Sequence, residues 1–236
     1  MNNMIPSVVQ REGGNYLATS RQKVYSFIAE IFLQEPSSAR WVEQRQALAE
    51  LLREAGETPS FGDLIPEDVL KAVEKVRQEF YDCFFVPMSG HYVPPFESAL
   101  RNYKTGVQKP FGSLNSLEGN HVTECYAKVG FHPWGLNVFG PLKEIRLPDH
   151  IGFELSFMAI LCASEILAWE NEQMENVQRW QTVQRQFLKE HLMEWLPQFS
   201  QAMQEIAPGY YAEAAKVAEQ WVRSDCDDLD QGVLLA

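Results

Sequence analysis

Apolar residues recur at steps of three and four along most of this 236-residue chain, and this periodicity limits the folds that it can adopt. Such spacing places apolar side chains on one face of an α-helix. No segment shows the sustained two-residue alternation that is typical of a half-buried strand. The pattern therefore predicts an all-α fold.

Helix boundaries are predicted from the periodic segments and from the glycines and prolines at their ends. The predicted helices cover residues 16–33, 41–55, 67–85, 118–129, 148–170, 174–206 and 209–222, and the sixth is interrupted or bent near Pro197. Two proline- and glycine-punctuated segments, 86–113 and 131–148, interrupt the series. Connections of this length inside a compact domain usually carry function or contain short helices.

The helical region predicts one compact domain, or two lobes joined by a hinge, over residues 15–224. A 45% share of hydrophobic residues is enough for a sizeable core. Residues 1–14 are expected to form a flexible N-terminal segment, and residues 225–236 an acidic C-terminal tail.

Charge and composition exclude several classes of partner. A formal net charge of −12 repels phosphate backbones, so nucleic acid is not expected to bind. The four cysteines are widely spaced and lack CxxC pairing, which favours reduced thiols. We find no secretory signal and no window long and apolar enough to cross a membrane. These features predict a cytoplasmic protein without stable membrane insertion.

The stretch "LPDHIGFELSFM", residues 147–158, is the strongest candidate for a functional site. Asp149, His150 and Glu154 could form a metal site, an acid/base pair, a recognition surface or an ordinary helix cap. The chain has no HExxH, no phosphate loop and no nucleophile elbow, and its five histidines are scattered. We therefore predict no enzyme, no metal and no cofactor, with a local hydrogen bond between His150 and Glu154.

Recognition of a peptide is the remaining functional interpretation. Two aromatic loops, "HYVPPFES" and "FHPWGLNVFG", precede the Pro-Asp-His stretch. Their aromatic and proline side chains suit an apolar peptide, and Asp149 and Glu97 suit basic groups. The structural alternative is that Tyr92, Phe96, Trp134 and Phe139 attach the loops to the core. Asp149 would then serve only as a helix cap, and both interpretations remain open at this point.

These residues resemble a known family. "PDHIGFELSFM" resembles the signature of the TorD/DmsD family of cytoplasmic chaperones for molybdenum-containing oxidoreductases. "FYDCFFVPMSGHYVPPFES" resembles the family's aromatic helix end and its Pro-Pro-aromatic loop, and "FLKEHLMEWLPQF" resembles a later helix. The resemblance extends over residues 16–222. One departure is that some members carry Trp-Gly where this chain has Phe96 and Glu97.

The resemblance implies a non-catalytic, all-helical chaperone, either a monomer or a domain-swapped homodimer. Its partner would be the twin-arginine signal peptide and the apo form of a molybdoenzyme catalytic subunit, which it would hold until the molybdopterin cofactor is inserted. The signal-peptide-binding residues that it implies are Pro94, Pro95, Phe96, Ser98, Asp149 and His150. The aromatic and acidic residue types of the loops add Tyr92, Glu97 and Trp134 to the predicted binding residues. Gly152 and Glu154 also match the motif, with helix packing and local hydrogen bonding as their alternative roles.

Two alternatives accompany this prediction. The first is an assembly chaperone of the nitrate reductase type, whose catalytic subunit is not exported. The second is a guanine-nucleotide-dependent switch or enzyme, because weak nucleotide binding is associated with some family members.

Overall fold

The structure is a computed structural model that describes residues 8–61, 67–114 and 117–232. Within these ranges the chain is helical and forms no strand, which confirms the predicted all-α fold. The helices are α1 (Val8–Leu33), α2 (Ser38–Glu54), α3 (Val69–Phe84), α4 (Glu97–Leu100), α5 (Leu117–Val129), α6 (Gly140–Ile145), α7 (Ile151–Glu170), α8 (Met174–Phe187), α9 (Met193–Ile206) and α10 (Tyr210–Gln231).

Helix α7 lies at the centre of the fold and makes its most extensive contact with α1. Gly152 allows this approach, because a Cβ atom there would lie 2.4 Å from Leu33 Cγ. One hydrophobic core extends from Tyr25 on α1 to Leu229 on α10. A smaller cluster contains Ala18, Ala168, Trp169 and Val177. A main core that extends from the first helix to the last favours one compact domain over two lobes.

The apolar character of α7 corrects one prediction. The helix is long and apolar enough to cross a membrane by composition, so the expectation that no such window exists is wrong. Most of its residues are buried inside the protein, however. A helix that is apolar on all sides is also what the centre of a soluble core requires.

Both terminal segments are more helical than predicted. Helix α1 begins at Val8, inside the segment predicted to be flexible, and α10 continues to Gln231, through most of the predicted acidic tail. Asp225 is buried there, where it accepts hydrogen bonds from Arg21 Nε at 2.5 Å and from the Tyr25 hydroxyl at 2.5 Å. Residues 1–7 and 233–236 lie outside the described residues.

The interruption or bend predicted near Pro197 is found earlier in the chain, as an interruption. Pro197 is accommodated inside α9, and the irregularity precedes it as a π-helical segment, Leu188–Leu192, between α8 and α9. A π-turn adds one residue to a helical turn and is frequent at functional sites. Here it carries the buried side chain of His191.

The two irregular segments contain short helices. Helix α4 lies in the first segment, and a 3-10 turn at Pro133–Gly135 and helix α6 lie in the second. Phe139 packs against Phe80 and Phe85, with ring centroids 5.4 and 5.0 Å apart. This side chain therefore attaches its loop to the core, as the structural alternative predicted for it.

Candidate functional site

The Pro-Pro-aromatic loop and the Pro-Asp-His stretch meet through their backbones. Phe96 and His150 form an isolated antiparallel bridge. The Glu97 N–H donates to the Asp149 carbonyl at 2.9 Å, and the Ile151 N–H donates to the Pro95 carbonyl at 3.0 Å. Backbone hydrogen bonds therefore hold together two motifs that are some fifty residues apart in sequence, next to the start of α7. We call this contact between residues 95–98 and 149–151 the joint.

Asp149 caps a helix, but the helix is α4 and not α7. Its Oδ2 accepts a hydrogen bond from the Ser98 N–H at 2.8 Å. The side chain is buried, and its Oδ1 receives no hydrogen bond from the described residues. Burial raises the pKa of Asp149, and hydrogen bonds from Ser98 offset only part of that rise. A buried carboxylate oxygen without a donor is costly and marks a position that a cationic donor could fill.

His150 is the cap of α7, which begins at Ile151 and not at the predicted Pro148. Its Nδ1 accepts from the Gly152 N–H at 3.1 Å, and its ring lies between the rings of Phe96 and Phe153. Burial lowers the pKa of His150 to about 3, so the ring is neutral at physiological pH. These contacts show that the His150 ring is packed inside the joint, and its predicted part in peptide binding stays a prediction.

The predicted hydrogen bond between His150 and Glu154 is replaced by two others. His150 bonds to Gly152, and Glu154 Oε2 accepts from Trp195 Nε1 at 3.1 Å. Burial raises the pKa of Glu154 well above its ordinary value, and the nearby Glu97 carboxylate raises it further. Gly152 serves helix packing, the alternative role that the sequence left open for it.

Glu97 connects the joint to the later helices. It is fully buried, accepts from Arg101 Nε at 2.6 Å, and accepts from His191 Nδ1 at 2.8 Å. Burial by itself would lower the pKa of His191, but contacts with Cys125 and Glu97 outweigh it and raise the pKa to about 9. The protonated imidazole therefore compensates the charge of Glu97.

Few of the predicted contact residues reach the surface. Trp134 is 39% exposed and packs its ring against Phe153, and Tyr92 is half-buried. The others are buried: Pro94, Pro95, Phe96, Glu97, Ser98, Asp149 and His150. A partner would therefore reach the acidic groups of the joint only through an opening in the surface above them.

A cleft of about 540 Å³ provides such an opening above Asp149. We call it the Asp149 cleft; it is lined by Leu114, Leu117, Gly119, Asn120, Thr123, Arg146, Leu147, Pro148 and Asp149. Leu117 is 82% exposed at its rim. The lining is thus mixed: leucine and proline side chains stand beside Asn120, Thr123, Arg146 and the Asp149 carboxylate. Such a lining can receive a segment with both apolar and cationic side chains.

The residues that the sequence reasoning missed are His121, Cys125 and His191. The histidines are scattered in sequence, yet His121 Nδ1 lies 2.9 Å from His191 Nε2, and the Cys125 thiol lies beside them. The sequence signal that could have found part of this cluster is the four-residue spacing of His121 and Cys125 on one helix. All four cysteines are free thiols, as predicted.

The fold and the cleft together define an all-helical protein with a surface cleft above a buried carboxylate. A family model described as "Nitrate reductase delta subunit" matches residues 43–201. A similar protein is "Chaperone protein TorD" from Vibrio cholerae serotype O1 (strain ATCC 39315 / El Tor Inaba N16961), which is 30% identical over 116 residues. That match covers 49% of this chain and 50% of the relative, so the chain spans about half the length of this curated relative.

The chain belongs to the nitrate reductase delta subunit family, because the family model matches more than half of it. The membership of the TorD/DmsD family expected from the Pro-Asp-His stretch and its companions is thereby confirmed.

Proposed function

We propose that this protein is a cytoplasmic maturation chaperone for a molybdopterin-containing oxidoreductase. Membership of a chaperone-type family supports a role in binding an apoenzyme, in place of catalysis. The chaperone would hold the catalytic subunit until its cofactor is inserted and the enzyme is folded.

We further propose that the Asp149 cleft receives the twin-arginine segment of the client's signal peptide. The observation that carries this proposal is Asp149 Oδ1, a buried carboxylate oxygen without a donor among the described residues. A guanidinium group would supply that donor and compensate the charge, and its planar fork can form two parallel hydrogen bonds. The apolar run that follows the two arginines would lie against the leucines of the rim.

The surface charge favours the same partner. A net charge of −12 attracts a cationic leader over a distance that depends on salt. Arg146 is exposed on the wall of the cleft and opposes that attraction locally. Replacing it with glutamine is therefore expected to tighten leader binding by a few-fold.

Calorimetry with leader peptides tests the proposal. A leader from a molybdoenzyme encoded beside this protein should bind with one-to-one stoichiometry, and its twin-lysine version should bind roughly 10-fold more weakly, because lysine lacks the bidentate fork. Equal affinity of the two peptides would contradict recognition of the arginine pair. Absence of binding to any such leader would contradict the signal-peptide proposal as a whole.

The description of the matched family also supports the second candidate function, an assembly chaperone for a nitrate-reductase-type catalytic subunit that is not exported. Co-purification separates the two: a client that still binds after its leader is deleted favours the assembly role without export. Light scattering on the same preparations distinguishes the monomer from the domain-swapped homodimer that the resemblance implies.

A further inference from the structure

We propose that His121, Cys125 and His191 form a binding site for a divalent transition-metal ion of the Zn²⁺ class. Each residue offers one donor atom, and the three atoms all lie within 4.8 Å of one another. Two imidazole nitrogens and one thiolate are borderline-soft donors, which favour Zn²⁺ or Co²⁺ over Mg²⁺ and Ca²⁺. The inference is independent of the proposed client, because none of the three donor residues lines the Asp149 cleft.

Two features of the fold bring the donors together. His121 and Cys125 are four residues apart on α5 and therefore lie on the same face of that helix. His191 comes from the π-helical segment between α8 and α9, where the widened turn carries its ring to α5. The cluster thus joins two helices that are distant in sequence.

A carboxylate orients the third donor. Glu97 Oε2 accepts the Nδ1–H of His191 at 2.8 Å, which leaves His191 Nε2 directed at His121. Metal-binding histidines almost always donate their second ring N–H to a carboxylate or a carbonyl in this manner. Glu97 is fully buried and is itself held by the partly buried Arg101, so these two contacts define the orientation of the His191 ring.

The distances are compatible with a tetrahedral ion after movements of up to about 1 Å, because donor atoms that now lie within 4.8 Å of one another must come to about 3.3–3.6 Å. Zinc bonds of about 2.0–2.1 Å to nitrogen and about 2.3 Å to sulfur place neighbouring donors about 3.3–3.6 Å apart. The two ring nitrogens, now 2.9 Å apart, would separate by about 0.4 Å. The ion would take the place of a proton shared by these two nitrogens, and the Cys125 thiol would also lose its proton on binding.

A cavity of about 310 Å³ adjoins two of the three donors. His121 and Cys125 line this cavity together with Gln186, Phe187 and Glu190. Three protein donors and one open position are typical of zinc sites that exchange a ligand, whereas structural sites supply four protein donors. A water molecule can fill the open position, and so can a donor from a bound partner.

The site is tested with the full chain, freed of metal by dialysis against a chelator and titrated with Co²⁺ and then Zn²⁺. We expect one ion per chain, a cobalt–thiolate charge-transfer band, and displacement of that band by Zn²⁺. Cys125→Ser should abolish the band, and His121→Gln should weaken cobalt binding at least about tenfold. His132→Gln, which alters an exposed histidine outside the cluster, is the matched control and should bind as the wild type does.

A second measurement needs no variant. Zn²⁺ should slow the alkylation of Cys125 in the wild-type protein, followed by peptide mass spectrometry, because a bound thiolate is not free to react. An unchanged alkylation rate, a band that persists in Cys125→Ser, or absence of one-to-one binding tighter than about 10 µM would overturn the proposal. Leader binding by the metal-free protein would leave the proposed function intact in each of these cases.

Discussion

Asp149 offers a way to separate a structural role from client recognition with two substitutions. Asp149→Ala removes the acceptor for the Ser98 N–H, which is then left unpaired in a buried position. Such an unpaired donor costs about 1–3 kcal/mol. Asp149→Asn retains an oxygen acceptor for the same N–H and removes only the charge, so it should preserve most of the stability.

The expected changes in Tm and in Kd are both large enough to distinguish the two Asp149 variants. A loss of about 2 kcal/mol in a chain of this size lowers Tm by roughly 4–8 °C. Loss of a hydrogen bond to a charged group costs about 1.5–3 kcal/mol of binding free energy, or roughly 10- to 150-fold in Kd. We therefore expect Asp149→Ala to melt at a lower temperature and Asp149→Asn to melt close to the wild type while binding the leader more weakly.

Scanning calorimetry gives the stabilities, and titration with twin-arginine and twin-lysine leaders gives the binding cycle. The penalty of Asp149→Asn should be larger for the arginine peptide than for the lysine peptide. Identical Kd values of wild type and Asp149→Asn for the arginine peptide would refute the contact and leave Asp149 as the cap of α4 alone. An unchanged Tm for Asp149→Ala would refute the capping argument.

Three further substitutions test the scaffold. The pKa of His150 is about 3 in the folded protein and about 6.5 in the unfolded chain. Between these two pH values the unfolded chain binds more protons than the folded protein does. The free energy of unfolding therefore falls as the pH drops below about 6.5. His150→Asn keeps a capping oxygen and should reduce the stability loss between pH 7 and pH 5 by about 2 kcal/mol in urea unfolding. Gly152→Ala should lower the unfolding free energy by about 1–3 kcal/mol, since its Cβ would overlap Leu33. Asp225→Ala should cost about 3–5 kcal/mol, because it leaves the buried Arg21 guanidinium partly unpaired.

Matched controls are available for these substitutions. A Cβ at Gly13 meets nothing within 4 Å, so Gly13→Ala should be neutral or stabilising. Asp230 is partly exposed where it pairs with Lys189, so Asp230→Ala should change stability by less than about 1 kcal/mol. Equal effects of each test substitution and its control would contradict the packing and burial arguments. Equal acid destabilisation of wild type and His150→Asn would contradict the His150 argument.

The ends of the helices show how far sequence reasoning extends. Helix α5, predicted over 118–129, spans Leu117–Val129, because apolar spacing and Gly130 define it locally. Helix α10 was predicted to end at Val222, although Val222, Cys226 and Leu229 continue the apolar face. The acidic residues between them concealed that pattern, and the buried ion pair of Asp225 with Arg21 shows why one of them belongs inside.

The sequence by itself determined the all-α class, most of the helix positions and the family, because each depends on local spacing or on motifs that can be read in order. Only the tertiary structure decided that Asp149 and His150 lie beneath the surface, and that they cap two different helices. It alone brought His191 to His121 and Cys125. Burial and hydrogen-bond partners depend on which distant side chains fold against a residue, and no local pattern along the chain specifies those partners.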